Sequence, residues 1–175
     1  VTFLAQWWSG IDVTLYMKNE DVQYLGKEHS LALLNHKYDI DWVTTWIMAE
    51  RFSLLGGAKV FSKKILLFVP LIGWAWYFTE TIFLRRKWEH DKKSIRQDIQ
   101  KSCDYPKGYH VTLLLFPEGT RYTEKKHKAS LAVCRAKGYP ELKHVLLPRP
   151  KGFLVSVQGL KGHCECCHTA AVLYI

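Results

Sequence analysis

Short apolar runs and longer charged segments alternate along the chain, and this alternation predicts its secondary structure. Three short apolar runs bounded by polar or turn residues have the form of buried strands. They read SLALL (30–34), AKVFSK (58–63) and HVTLLLF (110–116). Three longer segments predict helices, and they read DWVTTWIMAERFSLL (41–55), RRKWEHDKKSIRQDIQKSC (85–103) and KKHKASLAVCRAKGYP (125–140). A last segment, KHVLLPRPKGF (143–153), predicts a strand followed by a turn.

Strands that alternate with helices in this way indicate an α/β fold. We expect one domain over 1–175, built on a central mixed β-sheet that is flanked by helices. A chain of 175 residues is long enough for one domain with a core of its own and short for two. Polar clusters that follow buried strands are candidate ligand sites, because α/β proteins bind ligands at strand ends.

One segment, ILLFVPLIGWAWYFT (65–79), is far more hydrophobic than the rest and holds fifteen uncharged residues. A helix that spans a bilayer needs about 20 apolar residues. Pro70 and Gly73 also interrupt this segment. We therefore expect a buried segment or a membrane-associating segment at the interface, with a spanning helix as the alternative.

A histidine and an aspartate follow the first predicted strand, at His36 and Asp41. On one continuous helix, five residues turn through about 500°, so the two side chains would not share a face. They can meet if His36 lies in the loop and Asp41 in the first helical turn. An imidazole held by a carboxylate can accept a proton from a substrate hydroxyl. The alternative is a loop histidine with a satisfied hydrogen bond, beside acids that cap the helix.

The third predicted strand ends in FPEGTR (116–121). Gly119 permits a close backbone approach, and Arg121 can bind a phosphate through two hydrogen bonds. Glu118 cannot bind an anion directly, so it would orient a substrate hydroxyl, the backbone or Arg121. The alternative is an ordinary turn with an exposed ion pair.

Two further clusters are basic. FLRRKW (83–88) is either a phosphate clamp at a membrane surface or a solvated charge run beside an apolar patch. In LLPRPKGF (146–153), Pro148 and Pro150 stiffen a turn, and two basic residues add positive charge. The alternative there is a strand end with a rigid loop.

Composition limits the possible partners without choosing among them. The formal charge of +9 suits nucleic acid, an anionic bilayer or a phosphorylated small molecule. Seven Trp, nine Tyr and eight Phe suit a membrane interface or a ligand cleft. A nucleic-acid-binding domain is disfavoured, because the basic residues do not share one helix face and no such motif is present. The tail HCECCH (163–168) is too crowded for a structural zinc site, so we expect no metal.

Taken in order, four sequence blocks resemble those of the lysophosphatidic acid acyltransferases, within the wider glycerophospholipid acyltransferase superfamily. The blocks read NHKYDID (35–41), GWAWYFTETIFLRRKWEHD (73–91), FPEGTRYTEKKHK (116–128) and VLLPRPKGF (145–153). Further stretches resemble the gamma and delta branch of that family, and they read WWSG (7–10), ERFSLLGGAKV (50–60) and VPLIGWAWYF (69–78). The resemblance covers about residues 6 to 160.

The resemblance implies roles for individual residues. His36 would be the general base, and Asp41 would be its partner. The substrate-binding residues that it implies are Arg86, Glu118, Gly119, Thr120, Arg121 and Pro148. The second and third blocks are associated with the glycerol-phosphate acceptor, and the fourth block with acyl-CoA.

The implied reaction moves an acyl group from acyl-CoA to the sn-2 hydroxyl of lysophosphatidic acid, giving phosphatidic acid. Acyl-CoA is a co-substrate, no cofactor or metal is implied, and the place of action is the endoplasmic reticulum membrane. One alternative is the same chemistry on another lysophospholipid. Another is a truncated, non-catalytic chain that binds lipid. The chain begins at Val1, and its tail from 161 to 175 departs from the family, so we expect a truncated member.

Overall fold

The protein, described by a computed structural model, is built on one β-sheet with helices packed against it. The structure describes residues 2–10, 13–14, 18–70, 72–84, 88–106, 108–162 and 172–173. The strands are β1 (Ser30–Leu34), β2 (Ala58–Lys63), β3 (Ile82–Leu84), β4 (Thr112–Leu115) and β5 (Val172–Leu173). The α-helices are α1 (Asn19–Val22), α2 (Asp41–Arg51), α3 (Ile72–Phe78), α4 (Trp88–Cys103), α5 (Glu124–Lys137) and α6 (Pro150–Leu160). A π-helix (Leu4–Trp8) and two 3₁₀ segments (Leu55–Gly57 and Lys64–Phe68) complete the list.

The sheet has the order β3-β2-β4-β1-β5, and its described pairings are all parallel. The expectation of a mixed sheet is therefore wrong for the described strands. The physical reason lies in the connections: a helix follows each of β1, β2 and β3 before the chain returns to the sheet. Such crossovers bring successive strands back in the same direction.

The main core lies between the sheet and the helices α4 and α6. Ile95 and Ile99, four residues apart on α4, share one helix face and are almost fully buried. Leu113 and Leu115 meet them from alternate positions of β4. Val155 and Leu160 of α6 and Leu31 of β1 belong to the same buried cluster, so the core packs on β1 and β4, which are neighbours within the sheet.

Several predicted elements are confirmed. The runs SLALL and AKVFSK form β1 and β2 with the predicted bounds, and HVTLLLF contains β4. The three predicted helices correspond to α2, α4 and α5. Helix α5 begins after Thr123, whose hydroxyl accepts a hydrogen bond from the Lys126 N–H, and ends at Gly138.

The strand expected in 143–153 is wrong. Residues 141–149 form no strand, and helix α6 begins at Pro150. Proline suits the first position of a helix, because its fixed φ is helical and its missing N–H has no helical partner there. The residues PKGF (150–153) therefore start a helix where a turn was expected.

The hydrophobic segment 65–79 forms a 3₁₀ segment and the short helix α3, separated near Pro70. Of the two expected alternatives, burial does not hold for three of its large side chains. Phe68 is 79% exposed, Trp74 64% and Phe78 80%. Within the described residues, none of the helices combines the length and apolar character that crossing a bilayer requires.

Candidate active site

The site lies where β1 and β4 end side by side. Because these two strands are parallel neighbours, with Leu33 opposite Leu115, the chain that leaves each strand enters the same region. The His36 ring lies 4.8 Å from the Phe116 ring, centroid to centroid. The carbonyl oxygen of His36 accepts a hydrogen bond from the Tyr122 N–H at 2.7 Å. The two polar clusters that the sequence predicts at strand ends are thus brought together.

His36 lies in the loop after β1, and Asp41 is the first residue of α2. The distance from His36 Nδ1 to Asp41 Oδ2 is 2.9 Å. The same carboxylate accepts hydrogen bonds from the N–H groups of Lys37 at 2.8 Å and Tyr38 at 3.0 Å. Asp41 is 2% exposed, whereas the His36 side chain is 29% exposed. The arrangement predicted from the five-residue spacing is present.

This geometry leaves one imidazole nitrogen available for chemistry. An ionised carboxylate accepts hydrogen bonds and cannot donate them. In the contact with Asp41, Nδ1 of His36 is therefore the donor and carries a proton. In the neutral ring Nε2 is then the acceptor and can take a proton from a hydroxyl. A carboxylate at Nδ1 also stabilises the imidazolium that forms during such a transfer.

Glu118 lies beside this pair and is 5% exposed. The backbone N–H groups of Leu146 and His36 donate hydrogen bonds to its carboxylate. Burial raises the pKa of Glu118, and these two hydrogen bonds oppose that rise. Within the described part of the chain, Glu118 Oε2 has no hydrogen-bond partner, and the same holds for the buried Oδ1 of Asn35. Both atoms are acceptors, so a donor is what this region lacks.

The turn after Glu118 contacts the segment before α6. Gly119 has φ +66°, a conformation that glycine adopts without strain. A Cβ at Gly119 would lie 3.4 Å from Cδ of Arg149, so the arginine stem passes directly over the turn. The Arg149 N–H also donates to the Pro117 carbonyl oxygen at 2.8 Å. The neighbouring Pro148 is exposed.

Arg121 is held by other groups of the same region. Its guanidinium forms an ion pair with Asp39, and both side chains are exposed to solvent by more than a third. Lys126 Nζ donates to the Thr120 hydroxyl at 2.7 Å and to the Arg121 carbonyl oxygen at 3.0 Å. The structure therefore places Thr120 and Arg121 at the rim of the site, in a network of charged and polar groups.

Two predicted features cannot be placed. Arg86 lies outside the described residues, as does the tail HCECCH (163–168). In the part of the chain that is described, no cluster of three or more His, Cys, Asp or Glu side chains could hold a metal ion.

Sequence reasoning left two residues out of the site, Asn35 and Arg149. Asn35 precedes His36 directly in the sequence, and its position at the strand end was the available signal. For Arg149 the signal was Pro150, because a proline that starts a helix places the preceding residue at the helix N-terminus.

Comparison with known proteins assigns the family. A family model described as Acyltransferase matches residues 15–160, well over half of the chain. The chain belongs to the acyltransferase family. This agrees with the resemblance drawn from the four sequence blocks, which is confirmed.

Curated relatives refine the branch. The acyltransferase chain is 49% identical over 161 residues to the human 1-acyl-sn-glycerol-3-phosphate acyltransferase delta, covering 92% of this chain and 42% of the relative. It is 47% identical over 162 residues to the human gamma enzyme, covering 93% and 43%. The chain is 45% identical over 174 residues to the mouse gamma enzyme, and the match covers 99% of this chain and 44% of the relative. The chain therefore spans less than half the length of these relatives. No solved structure matches.

Proposed function

We propose that this chain transfers an acyl group from acyl-CoA to the sn-2 hydroxyl of lysophosphatidic acid, giving phosphatidic acid. The observation that carries the proposal is the His36–Asp41 pair, 2.9 Å apart, next to the polar turn after β4. The names of the relatives support a 1-acyl-sn-glycerol-3-phosphate acceptor. The acyltransferase family supports acyl transfer.

In the proposed reaction His36 acts as the general base. Nε2 accepts the proton of the acceptor hydroxyl while the hydroxyl oxygen attacks the thioester carbonyl carbon. A C–O bond forms, the C–S bond breaks, and the CoA thiolate takes the proton back from the imidazolium. Asp41 holds the ring and stabilises its charged form. A thioester is already activated, so no covalent intermediate with the enzyme, metal or cofactor is part of this proposal, and acyl-CoA is the co-substrate.

The substrate-binding assignments remain proposals that follow the sequence blocks. Glu118 would accept a hydrogen bond from the acceptor through its unpartnered, buried Oε2. Gly119 allows the acceptor to approach the backbone, and Thr120 and Arg121 would bind the acceptor at the rim. Residues assigned from the other two blocks are Arg86, for the acceptor, and Pro148, for acyl-CoA.

The acceptor is a membrane lipid, and one surface suits a bilayer. We define the aromatic face as the exposed large side chains of 65–78, which are Ile65, Phe68, Val69, Trp74, Tyr77 and Phe78. Trp and Tyr are favoured where hydrocarbon meets lipid headgroups. We propose that the aromatic face inserts into the membrane interface and that the membrane is that of the endoplasmic reticulum. The formal charge of +9 would add attraction to anionic lipids.

Phosphatidic acid formation tests the proposal. The chain is placed in mixed micelles of detergent and lipid with acyl-CoA and lysophosphatidic acid, and His36→Ala is assayed in parallel. We expect product from the wild type and none above background from His36→Ala, with both proteins folded by circular dichroism. A wild type without product contradicts the proposed function, and near-normal activity of His36→Ala contradicts the assignment of the base.

Two alternatives are decided by the same assay. Replacing the acceptor by lysophosphatidylcholine or another lysophospholipid tests for a different headgroup. The second alternative is a chain that binds lipid without turnover. Binding of acyl-CoA without product from any acceptor would support that alternative.

A further inference from the structure

We propose that Arg149 binds the phosphate of the acceptor lipid at this site. The inference rests on the proposed function and assigns the acceptor phosphate to a residue outside the substrate-binding set drawn from the sequence blocks.

Arg149 contacts the turn that follows β4. Its N–H is bonded to Pro117, and its stem passes over Gly119. Between these two residues lies Glu118, whose carboxylate accepts a hydrogen bond from the His36 backbone. The arginine is therefore tied to the same turn that contacts the base.

Among the described residues, four neighbouring cations are already engaged. Lys37 lies over the Tyr38 ring, 5.2 Å from its centroid. Arg121 is ion-paired with Asp39. Lys126 is bonded to the Thr120 hydroxyl and the Arg121 carbonyl oxygen. Lys151 lies over the Trp88 ring, 5.2 Å from its centroid.

Arg149 differs from these cations. Within the described residues its guanidinium has no ion pair, side-chain hydrogen bond or aromatic partner, although the side chain is exposed at a site rich in polar groups. A guanidinium offers two parallel N–H groups that match two phosphate oxygens. Among the described cations named above, Arg149 can bind a phosphate without first giving up another partner.

The start of α6 reinforces this position. Arg149 is the residue that precedes the first turn of this 11-residue helix, and no side chain caps the helix there. The N–H groups of a helix N-terminus and its dipole favour an anion. The start of α6, which follows Arg149 directly in the chain, therefore also favours an anion.

Substrate chemistry favours the acceptor phosphate over the phosphates of CoA. In lysophosphatidic acid only two carbons and one ester oxygen separate the reacting hydroxyl from the phosphorus. The cation that binds this phosphate must therefore lie close to the base, and Arg149 contacts the turn on either side of Glu118. In acyl-CoA the long pantetheine arm separates the thioester from the phosphates.

Kinetics of Arg149→Ala and Arg149→Lys test the inference. In Arg149→Ala we expect KM for lysophosphatidic acid to rise roughly 10- to 100-fold, because a charge-assisted bidentate pair is lost, with KM for acyl-CoA unchanged. Arg149→Lys should recover part of the loss, since lysine keeps the positive charge but lacks the two parallel N–H groups of a guanidinium. Arg135→Ala is the control, because Arg135 is paired with Glu141 at the end of α5. An unchanged KM for lysophosphatidic acid in Arg149→Ala, or a rise only for acyl-CoA, overturns the inference.

A binding measurement separates this inference from the proposed function. Hexanoyl lysophosphatidic acid and hexanoyl monoglyceride, which lacks only the phosphate, are titrated calorimetrically into the wild type and Arg149→Ala. We expect the wild type to prefer the phosphorylated ligand and Arg149→Ala to lose that preference. An equal preference in both proteins, or none in the wild type, overturns the role of Arg149 even if the chain makes no product. A wild type that binds but does not turn over contradicts the proposed function alone.

Discussion

Asp41 shows how one buried carboxylate both builds a loop and sets up a base. It accepts hydrogen bonds from two backbone N–H groups, of Lys37 and Tyr38, and from the ring of His36. The loop that carries His36 therefore folds around the carboxylate that fixes the ring. This is why the acid lies at the first residue of α2 and not on the same helix face as the histidine.

The first prediction separates these two tasks of Asp41. Asp41→Asn keeps the shape but replaces one acceptor oxygen by an NH₂ group that faces N–H donors. We expect the free energy of unfolding to fall by about 2 kcal/mol, because buried donors lose their partner. The turnover number should fall as well, because the ring loses its orienting carboxylate. Chemical denaturation and the phosphatidic acid assay measure the two effects.

His36→Ala is the matched comparison for Asp41→Asn. The His36 side chain is partly exposed, so its removal should change the free energy of unfolding by less than about 1 kcal/mol while activity is lost. Equal destabilisation by the two variants would refute the view that the carboxylate, and not the ring, builds this loop.

The second prediction concerns pH and Glu118. Because burial raises the pKa of Glu118, the folded chain keeps this proton to higher pH than the unfolded chain does. Between the ordinary glutamate pKa and the raised one, the folded state binds more protons, so the free energy of unfolding falls as the pH rises. Glu118→Gln should remove this loss of stability at neutral pH. It should nevertheless lower activity, because the carboxylate proposed to accept a hydrogen bond from the substrate is replaced by a neutral amide.

Denaturation of Glu118→Gln from about pH 4 to pH 8 measures the effect, and Glu141→Gln is a control of opposite sign. The Arg135 guanidinium lowers the pKa of Glu141, so that carboxylate contributes stability above its ordinary pKa and loses it as the pH falls. If the free energy of unfolding changed with pH in the same way in the wild type and in Glu118→Gln, a raised pKa of Glu118 would not be what lowers stability.

At the scale of elements, the junction before β2 shows why two adjacent glycines are not equivalent. Gly57 is buried, and a Cβ there would overlap the carbonyl oxygen of His110, just before β4. Gly56 is exposed, and a Cβ there would meet the Tyr109 hydroxyl at 3.6 Å, an ordinary contact. The close approach of two backbones at Gly57 lets β2 pair with β4 from its first residue.

The third prediction uses this pair. Gly57→Ala should lower the free energy of unfolding by about 2 kcal/mol, because backbone cannot move away as a flexible side chain can. Gly56→Ala should stay within about 0.5 kcal/mol of the wild type. Thermal and urea unfolding of the two variants provide the comparison. If both lost the same stability, the close approach at Gly57 would not be what holds the junction.

The elements differ in how far the sequence predicts them. Runs such as SLALL and AKVFSK predict strands correctly, because a short apolar run between polar residues has few other stable solutions. Helix α6 was missed because PRPKGF (148–153), the sequence around its start, contains residues typical of a turn, and the helix packs against α4. The ion pair between Asp39 and Arg121 joins residues 82 positions apart, so no local pattern predicts it.

The site shows the same division. The His36–Asp41 contact follows from local geometry, since five residues joined by a loop and a helix start can bring the two together. The place of Arg149 over Gly119 depends on where α6 packs, and local sequence does not contain that information.

For the whole molecule, the relevant balance is between a basic surface and the aromatic face. The formal charge of +9 would attract the chain to an anionic bilayer from a distance, and salt would weaken this attraction. The exposed rings of 65–78 add apolar area that water does not favour, at a contiguous stretch of the chain. Together they predict membrane binding that high salt weakens and that needs the rings.

The fourth prediction follows at this scale. Replacing Trp74 and Phe78 together by Ala should weaken binding to vesicles of phosphatidylcholine and phosphatidylserine by at least roughly tenfold. Each ring contributes about 2 kcal/mol when fully removed from water, and 1.4 kcal/mol corresponds to a factor of ten. The melting temperature should hardly change, because both side chains are largely exposed in the fold.

Vesicle sedimentation at low and high salt measures the binding, with Tyr139→Ala as the control. Tyr139 is also exposed, at 50%, but follows α5 and lies outside the aromatic face. The double variant should lose most of the binding that remains at high salt, where charge attraction is screened, while Tyr139→Ala should keep it. If the double variant and Tyr139→Ala bound equally at high salt, the aromatic face would not be the inserted surface, and charge alone would hold this chain at the membrane.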